Sequence, residues 1–192
     1  MRALHAADRL TPGFEIRVGT SGDIDTLCEI DLDASRLFER AGLELNLPED
    51  HEFFHRERAR WVEALACGST LLAVDPNSRI MGFAASGVRD REPYLDQLSV
   101  RSEFMRMGVG SALLAAAEKL AVVRGGRALW LTTYGHLSWN RPFYERAGFV
   151  VTGESAWGPE ILTEATYERR WLPCPEQRIV MRKQLGSARS TH

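Results

Sequence analysis

Tyr94-Leu95-Asp96-Gln97-Leu98-Ser99-Val100, then Gly108-Val109-Gly110, then Ala128-Leu129-Trp130-Leu131-Thr132 are the segments on which the fold turns. The first has the apolar content and length of a strand. The glycine pair opens a run in which Val109, Ala112, Leu113, Ala116, Ala117 and Leu120 recur at helical spacing. Gly125-Gly126 supplies a helix stop, and the third segment lacks strict alternation, as a strand covered on both faces does. Strand, glycine turn, helix and strand form a βαβ unit, which implies parallel pairing through a right-handed crossover.

Upstream, Phe14-Glu15-Ile16-Arg17-Val18 has the two-residue period of a half-buried strand. Thr20 and Ser21 before Asp23 are helix-start chemistry, and Ile24, Leu27 and Cys28 carry that helix to about Phe38. Pro48-Glu49-Asp50 marks a second helix start, where an unused donor and the positive dipole end suit proline and acids. Phe54, Trp61, Val62 and Leu65 are expected to face inward before this helix stops near Gly68. The turn Asp75-Pro76-Asn77-Ser78 joins Thr70 to Val74 with Arg79 to Gly87 as a hairpin. Downstream, a helix from about Asn140 to Ala147 stops at Gly148, Phe149-Val150-Val151 begins a strand, Pro159 to Arg170 is helical, and Arg178-Ile179-Val180-Met181 closes the sheet. The expected class is α+β, a mixed sheet with helices on both faces. It forms a single domain over residues 1–192, with an ordered core from about 14 to 186 and polar termini.

Hydrophobic residues make up 44% of the 192 and charged residues 26%, the balance of a globular chain. A formal net charge of -2 offers no basic field to draw counter-ions from a nucleic-acid backbone, so no nucleic-acid partner is expected. Cys28, Cys67 and Cys174 are odd in number and far apart, which suits a reducing compartment better than a disulfide framework. Met1-Arg2-Ala3-Leu4-His5 lacks the apolar run of a signal peptide, and no stretch has the apolar length that spans a bilayer. The expectation is therefore a cytoplasmic protein with no membrane partner.

A glycine-rich turn leading into a helix N-terminus gathers backbone N–H groups and the positive dipole end, so it can hold a phosphate. A dinucleotide fingerprint would place a third glycine where Leu113 stands, and a triphosphate loop would need Gly-Lys-Ser/Thr, which this turn lacks. The same glycines also suit a tight turn and close packing of helix on sheet.

Tyr94 through Leu114, followed by Trp139-Asn140-Arg141-Pro142-Phe143-Tyr144-Glu145-Arg146-Ala147-Gly148-Phe149, resembles the signature half of the GNAT acetyltransferases. The resemblance implies the GNAT fold, of about seven mostly antiparallel strands with the fourth and fifth splayed apart. It implies acetyl-CoA as co-substrate. The diphosphate of coenzyme A would meet the backbone of Arg106, Met107, Gly108, Val109, Gly110 and Ser111, and pantetheine would lie against Leu98, Ser99 and Val100 as an added strand would. Gly108 and Gly110 match the family's turn, whereas Met105 stands where the family has Arg or Gln. Dimers are common in the family, which leaves a homodimer open.

Only about one alkylamine in a thousand is unprotonated at neutral pH, so transfer to an amine gains from a base. By resemblance that base is Asp96, two residues before Leu98 and hence on the same strand face; an acid pairing at a strand end is the plainer alternative. The Leu98 N–H would face the charge that develops on the thioester oxygen. Tyr144, four residues before Gly148, sits where the family keeps the acid that reprotonates the thiolate, though an aromatic residue there also suits a core. Asn140 is a natural helix cap, for which the resemblance implies a further contact to coenzyme A; the family's usual asparagine, about seven residues before the tyrosine, is here Leu137. The acceptor would be a small-molecule or peptide amine.

His51-Glu52-Phe53-Phe54-His55 spells His-Glu-x-x-His, which on a helix sets two imidazoles for zinc. The extended pattern would need glycine and histidine where Arg58 and Trp61 stand, and His5, His136 and His192 offer no evident third ligand, so no metal site is expected. Two alternatives to the transferase stay open: a non-catalytic acyl-CoA-binding sensor or scaffold, and a zinc metallopeptidase built on this motif.

Overall fold

The computed structural model describes residues 13–186. One seven-stranded sheet runs through it in the order β1-β2-β3-β4-β5-β7-β6. The strands are β1 (Glu15–Val18), β2 (Thr70–Val74), β3 (Ile80–Arg89), β4 (Glu92–Val100), β5 (Ala128–Tyr134), β6 (Val150–Thr152) and β7 (Arg178–Gln184). β4 and β5 are the parallel pair, and all other neighbours are antiparallel. The pair is joined at a single register position, Tyr94 to Trp130, and parts beyond it.

Five α-helices flank the sheet: α1 (Ile24–Glu39), α2 (Glu52–Ala66), α3 (Val109–Val123), α4 (Arg141–Arg146) and α5 (Pro159–Trp171). On one face, Leu113, Leu114 and Ala117 of α3 pack with Leu95, Leu129, Leu131 and Met181, and Tyr144 of α4 lies against that cluster. On the other face, Leu27 and Ile30 of α1 and Trp61 and Leu65 of α2 cover Leu72, Phe83 and Ala85, while Ile161 and Ala165 of α5 cover Tyr94, Trp130 and Val180. None of these helices is long and apolar enough to cross a membrane.

α2 differs from expectation in its ends and its phase. It begins at Glu52, with His51 as its cap, rather than at Pro48. Phe53 is 8% exposed, but Phe54 is 36% and Val62 44% exposed, so the inward stripe is Phe53, Trp61, Ala64 and Leu65. The stripe is rotated by one residue because part of the covered face is polar: Glu57 and Arg60 lie there beside α5.

β3 and β4 extend further than their apolar runs. They meet at Asp90 and Arg91, both at positive φ (51° and 64°), the backbone of a two-residue hairpin turn of the primed kind. Glycine usually occupies such positions. Here the turn is tied down from afar, because the Asp90 carboxylate accepts from the N–H groups of Glu160 (3.1 Å) and Ile161 (3.0 Å) at the start of α5. Glu160 in turn accepts from the Asp90 N–H, so the two ends cap each other.

Candidate active site

The parting of β4 from β5 leaves the β5-facing edge of β4 without ladder partners past Tyr94. Beside it, the turn before α3 is left-handed at Arg106 (φ 65°) and at Gly108 (φ 85°), the residue that begins the helix. No side chain caps this helix start, and no acid lies in its first turn. Val109, Gly110 and Ser111 occupy its first three positions, whose N–H groups have no carbonyl to reach inside a helix. A strand edge and an unneutralised positive helix end thus lie side by side, a seat for an extended ligand with an anionic end. Met105 is partly buried and donates its N–H to Ser102 O (3.3 Å), so the turn carries no polar side chain at that point.

The sequence places Asp96 and Leu98 on one face of β4, and the structure does not. The β3–β4 register slips between Ala85, opposite Gln97, and Ser86, opposite Leu95, so Asp96 is the extra residue of a β-bulge. Leu98 packs with the α3 cluster, while Asp96 bonds Arg89 Nη2 at 2.9 Å. A Cβ on Gly87 would come within 2.7 Å of the Asp96 carboxylate, so a side chain there would have to displace it. Burial pushes the Asp96 carboxyl above its ordinary range, against the pull of Arg89 and Arg60.

Around Asp96 lies a charged network that hydrophobic periodicity could not reveal. Glu164 of α5, 1% exposed, takes Arg56 (3.0 Å) and Arg60 of α2, with Arg89 Nε at 3.6 Å. Glu57 is pushed up to about 7, by burial first and by Glu168 and Asp96 after it, although Arg60 lies 2.9 Å away. At the fork itself, Thr132 donates to Glu168 (2.6 Å), Tyr94 donates to Thr132 (3.1 Å), and Arg178 binds both Glu168 and Thr132. Only α5, which the sequence does show as helical, hints at these partners, through glutamates spaced four apart at 160, 164 and 168.

Ser99 is buried and Gln97 partly so, and both bond Asp31 of α1. Val100 packs against the α3 cluster, and the Cβ that Gly110 lacks would lie 3.7 Å from it. Tyr144 meets Phe143 and Phe149 edge-on at 5.0 and 5.7 Å between ring centres, and burial pushes its phenol above the usual range. Asn140 stands at the start of α4, but its side chain makes no capping bond; its carbonyl accepts from Phe143 (2.9 Å) and Tyr144 (3.2 Å) instead. The expected cap fails because its ψ of −81° departs from the extended backbone that aims a capping side chain at the helix. Leu137 is buried with Leu43 and Tyr134.

His51 lies outside α2. Its Nδ1 accepts from Phe53 N–H at 3.1 Å, and its ring packs edge-on against Trp171. His55 is exposed, and among the described residues no group of three histidines, cysteines or acids converges. His5 and His192 lie outside the described residues.

A seven-stranded sheet opened at its one parallel pair, beside an uncapped helix start, defines the fold that the comparisons with known proteins match. The Acetyltransferase (GNAT) family description matches residues 30–149, and the chain belongs to that family. It is similar in fold to an N-acetyltransferase, PaiA, from Thermoplasma acidophilum solved in complex with coenzyme A, at 20% identity and a TM-score of 0.64 over 89% of this chain and 98% of that one. It is similar also to the ribosomal-protein-S18-alanine N-acetyltransferase of Escherichia coli, at 17% identity and a TM-score of 0.61 over 93% and 98%. N-acetylglutamate synthase from Neisseria gonorrhoeae, complexed with coenzyme A and N-acetyl-glutamate, matches over 90% of this chain and 35% of its own length, at 19% identity and a TM-score of 0.62. One fold is thus shared by an N-acetylglutamate synthase and an N-acetyltransferase of a ribosomal-protein alanine.

Proposed function

We propose that the chain moves an acetyl group from acetyl-CoA to a primary amine of a small molecule or peptide, by direct attack in a ternary complex. The carrying observation is the open edge of β4 beside the uncapped, acid-free start of α3. Backbone N–H groups from Arg106 to Ser111 would hold the diphosphate, and Leu98, Ser99 and Val100 would pair with pantetheine as a strand pairs. The Leu98 N–H would stabilise charge on the thioester oxygen. Asp96 would receive the amine's proton; its carboxyl, raised by burial and close to the network around Glu57 and Glu168, supports that role. As the new N–C bond forms and the C–S bond breaks, Tyr144 would return a proton to the thiolate, and its raised phenol keeps that proton available. Asn140, with its amide unused in capping, is a further contact for coenzyme A.

A purified sample given acetyl-CoA and a panel of amines is expected to release free thiol only when an accepted amine is present. The second reading is a non-catalytic acyl-CoA sensor, favoured by the apolar Met105 in the turn and by Leu137 in the core. It predicts acetyl-CoA binding with no thiol release on any amine. A single domain, a cytoplasmic setting and a homodimer belong to the same proposal; size-exclusion chromatography with light scattering tests the last.

A further inference from the structure

Asp25, Glu29, Asp31 and Asp33 follow one another along α1, and three of them meet an arginine. Asp25 lies 3.2 Å from Arg58, Glu29 3.4 Å from Arg101, and Asp33 3.6 Å from Arg36. Asp31 is the exception. Its Oδ1 accepts from two neutral donors, Gln97 Nε2 at 2.6 Å and Ser99 Oγ at 2.8 Å. Gln97 also donates to Ser99 Oγ at 2.9 Å, so the three side chains lock one another. Among the described residues no cation pairs with Asp31 and no donor reaches its Oδ2. A carboxylate pressed against a sheet with neutral partners only is a charge without its counter-ion, a cost that a proton or a bound cation relieves. Burial accordingly pushes its pKa up, while Ser99 and Gln97 pull the other way.

The position gives the missing cation an identity. Gln97 and Ser99 flank Leu98, each about one residue rise, roughly 3.3 Å, along the strand from it. Leu98 is where the thioester lies in the proposed reaction, and an acceptor amine reaches neutral water as an ammonium.

We propose that Asp31 is the seat of the acceptor's ammonium, its free Oδ2 receiving an N–H of the cationic amine, so that the site selects primary alkylamines over arylamines. The inference rests on the acetyl-transfer reading and names the acceptor class for that site. Binding precedes chemistry: the ammonium then loses its proton to Asp96, nitrogen bonds the thioester carbon, and the thiolate leaves as before. Asp31 is a specificity-determining contact and ends each turnover in the protonation state in which it began.

The test uses the full chain, saturating acetyl-CoA, and a panel that includes benzylamine, putrescine and aniline, read by thiol release. For the alkylamine that wild type turns over fastest, Asp31→Asn is expected to raise KM about tenfold or more, the loss of one charge-assisted hydrogen bond, while KM for acetyl-CoA stays within about twofold. Asp25→Asn, which removes an equal charge from the outer face of the same helix, is expected to change neither. Should Asp31→Asn fail to fold, Gln97→Lys supplies Asp31 with an ammonium of the chain's own and is expected to raise the amine KM alike. An amine KM unmoved in the folded variant, or moved equally for both substrates, overturns the seat. Aniline turned over by wild type as readily as benzylamine overturns it too. Acetyl-CoA bound but no amine turned over by wild type is a different failure, that of the transferase reading itself.

Discussion

Tyr144 is held between Phe143 and Phe149, and burial pushes its phenol above the usual range, so the proton stays on it at neutral pH. Tyr144→Phe is expected to lower kcat about a hundredfold, the scale of one lost general acid, with acetyl-CoA affinity changed little; steady-state kinetics beside calorimetry check the split. Glu57 offers a second expectation. Its carboxyl stands at about 7, above an ordinary glutamate, so the stability it contributes is complete at acid pH and is lost as pH rises through 7. Glu57→Gln should melt higher than wild type at pH 8 and no higher at pH 4. Tyr144 was marked only through the family resemblance, while the glycine turn was legible in the sequence because the apolar stripe of α3 begins at it. The face of Asp96 and the idle amide of Asn140 were not, since a one-residue bulge and a single ψ angle decide them.

α5 owes its start to a residue 70 positions upstream: the Asp90 carboxylate supplies the acceptor that Gly158 cannot. A Cβ at Gly158 would lie 2.2 Å from the Asp90 Cγ. Gly158→Ala therefore breaks the cap, and Asp90→Ala removes it; each is expected to cost about 1–2 kcal/mol in denaturant unfolding. Gly108 is strained for any residue with a Cβ, so Gly108→Ala should cost about 1–2 kcal/mol and weaken acetyl-CoA binding as the turn relaxes. Sequence periodicity located α5 almost to the residue, yet neither its distant cap nor the polar contacts at Glu164 leave a local trace. The same blindness turned α2 by one position: its contact with α5 is made by Arg56, Glu57 and Arg60, which a hydrophobic count assigns to solvent.

The whole sheet exists to be interrupted once. Five strand pairs close their ladders over three residues or more, and only β4 and β5 meet at one position. The βαβ signature made the parallel pair legible, because strand, glycine turn and helix are encoded within forty residues. The insertion of β7 between β5 and β6 was not, because the partner of a short closing strand is chosen by tertiary packing. What the opening admits can be measured most directly by calorimetric titration of the full chain with acetyl-CoA and with S-acetylpantetheine, which carries the same thioester without the diphosphate. Acetyl-CoA is expected to bind, and S-acetylpantetheine to bind at least about tenfold more weakly, the loss of several charge-assisted bonds at α3. Equal affinity for the two, or none for acetyl-CoA, would contradict the assignment.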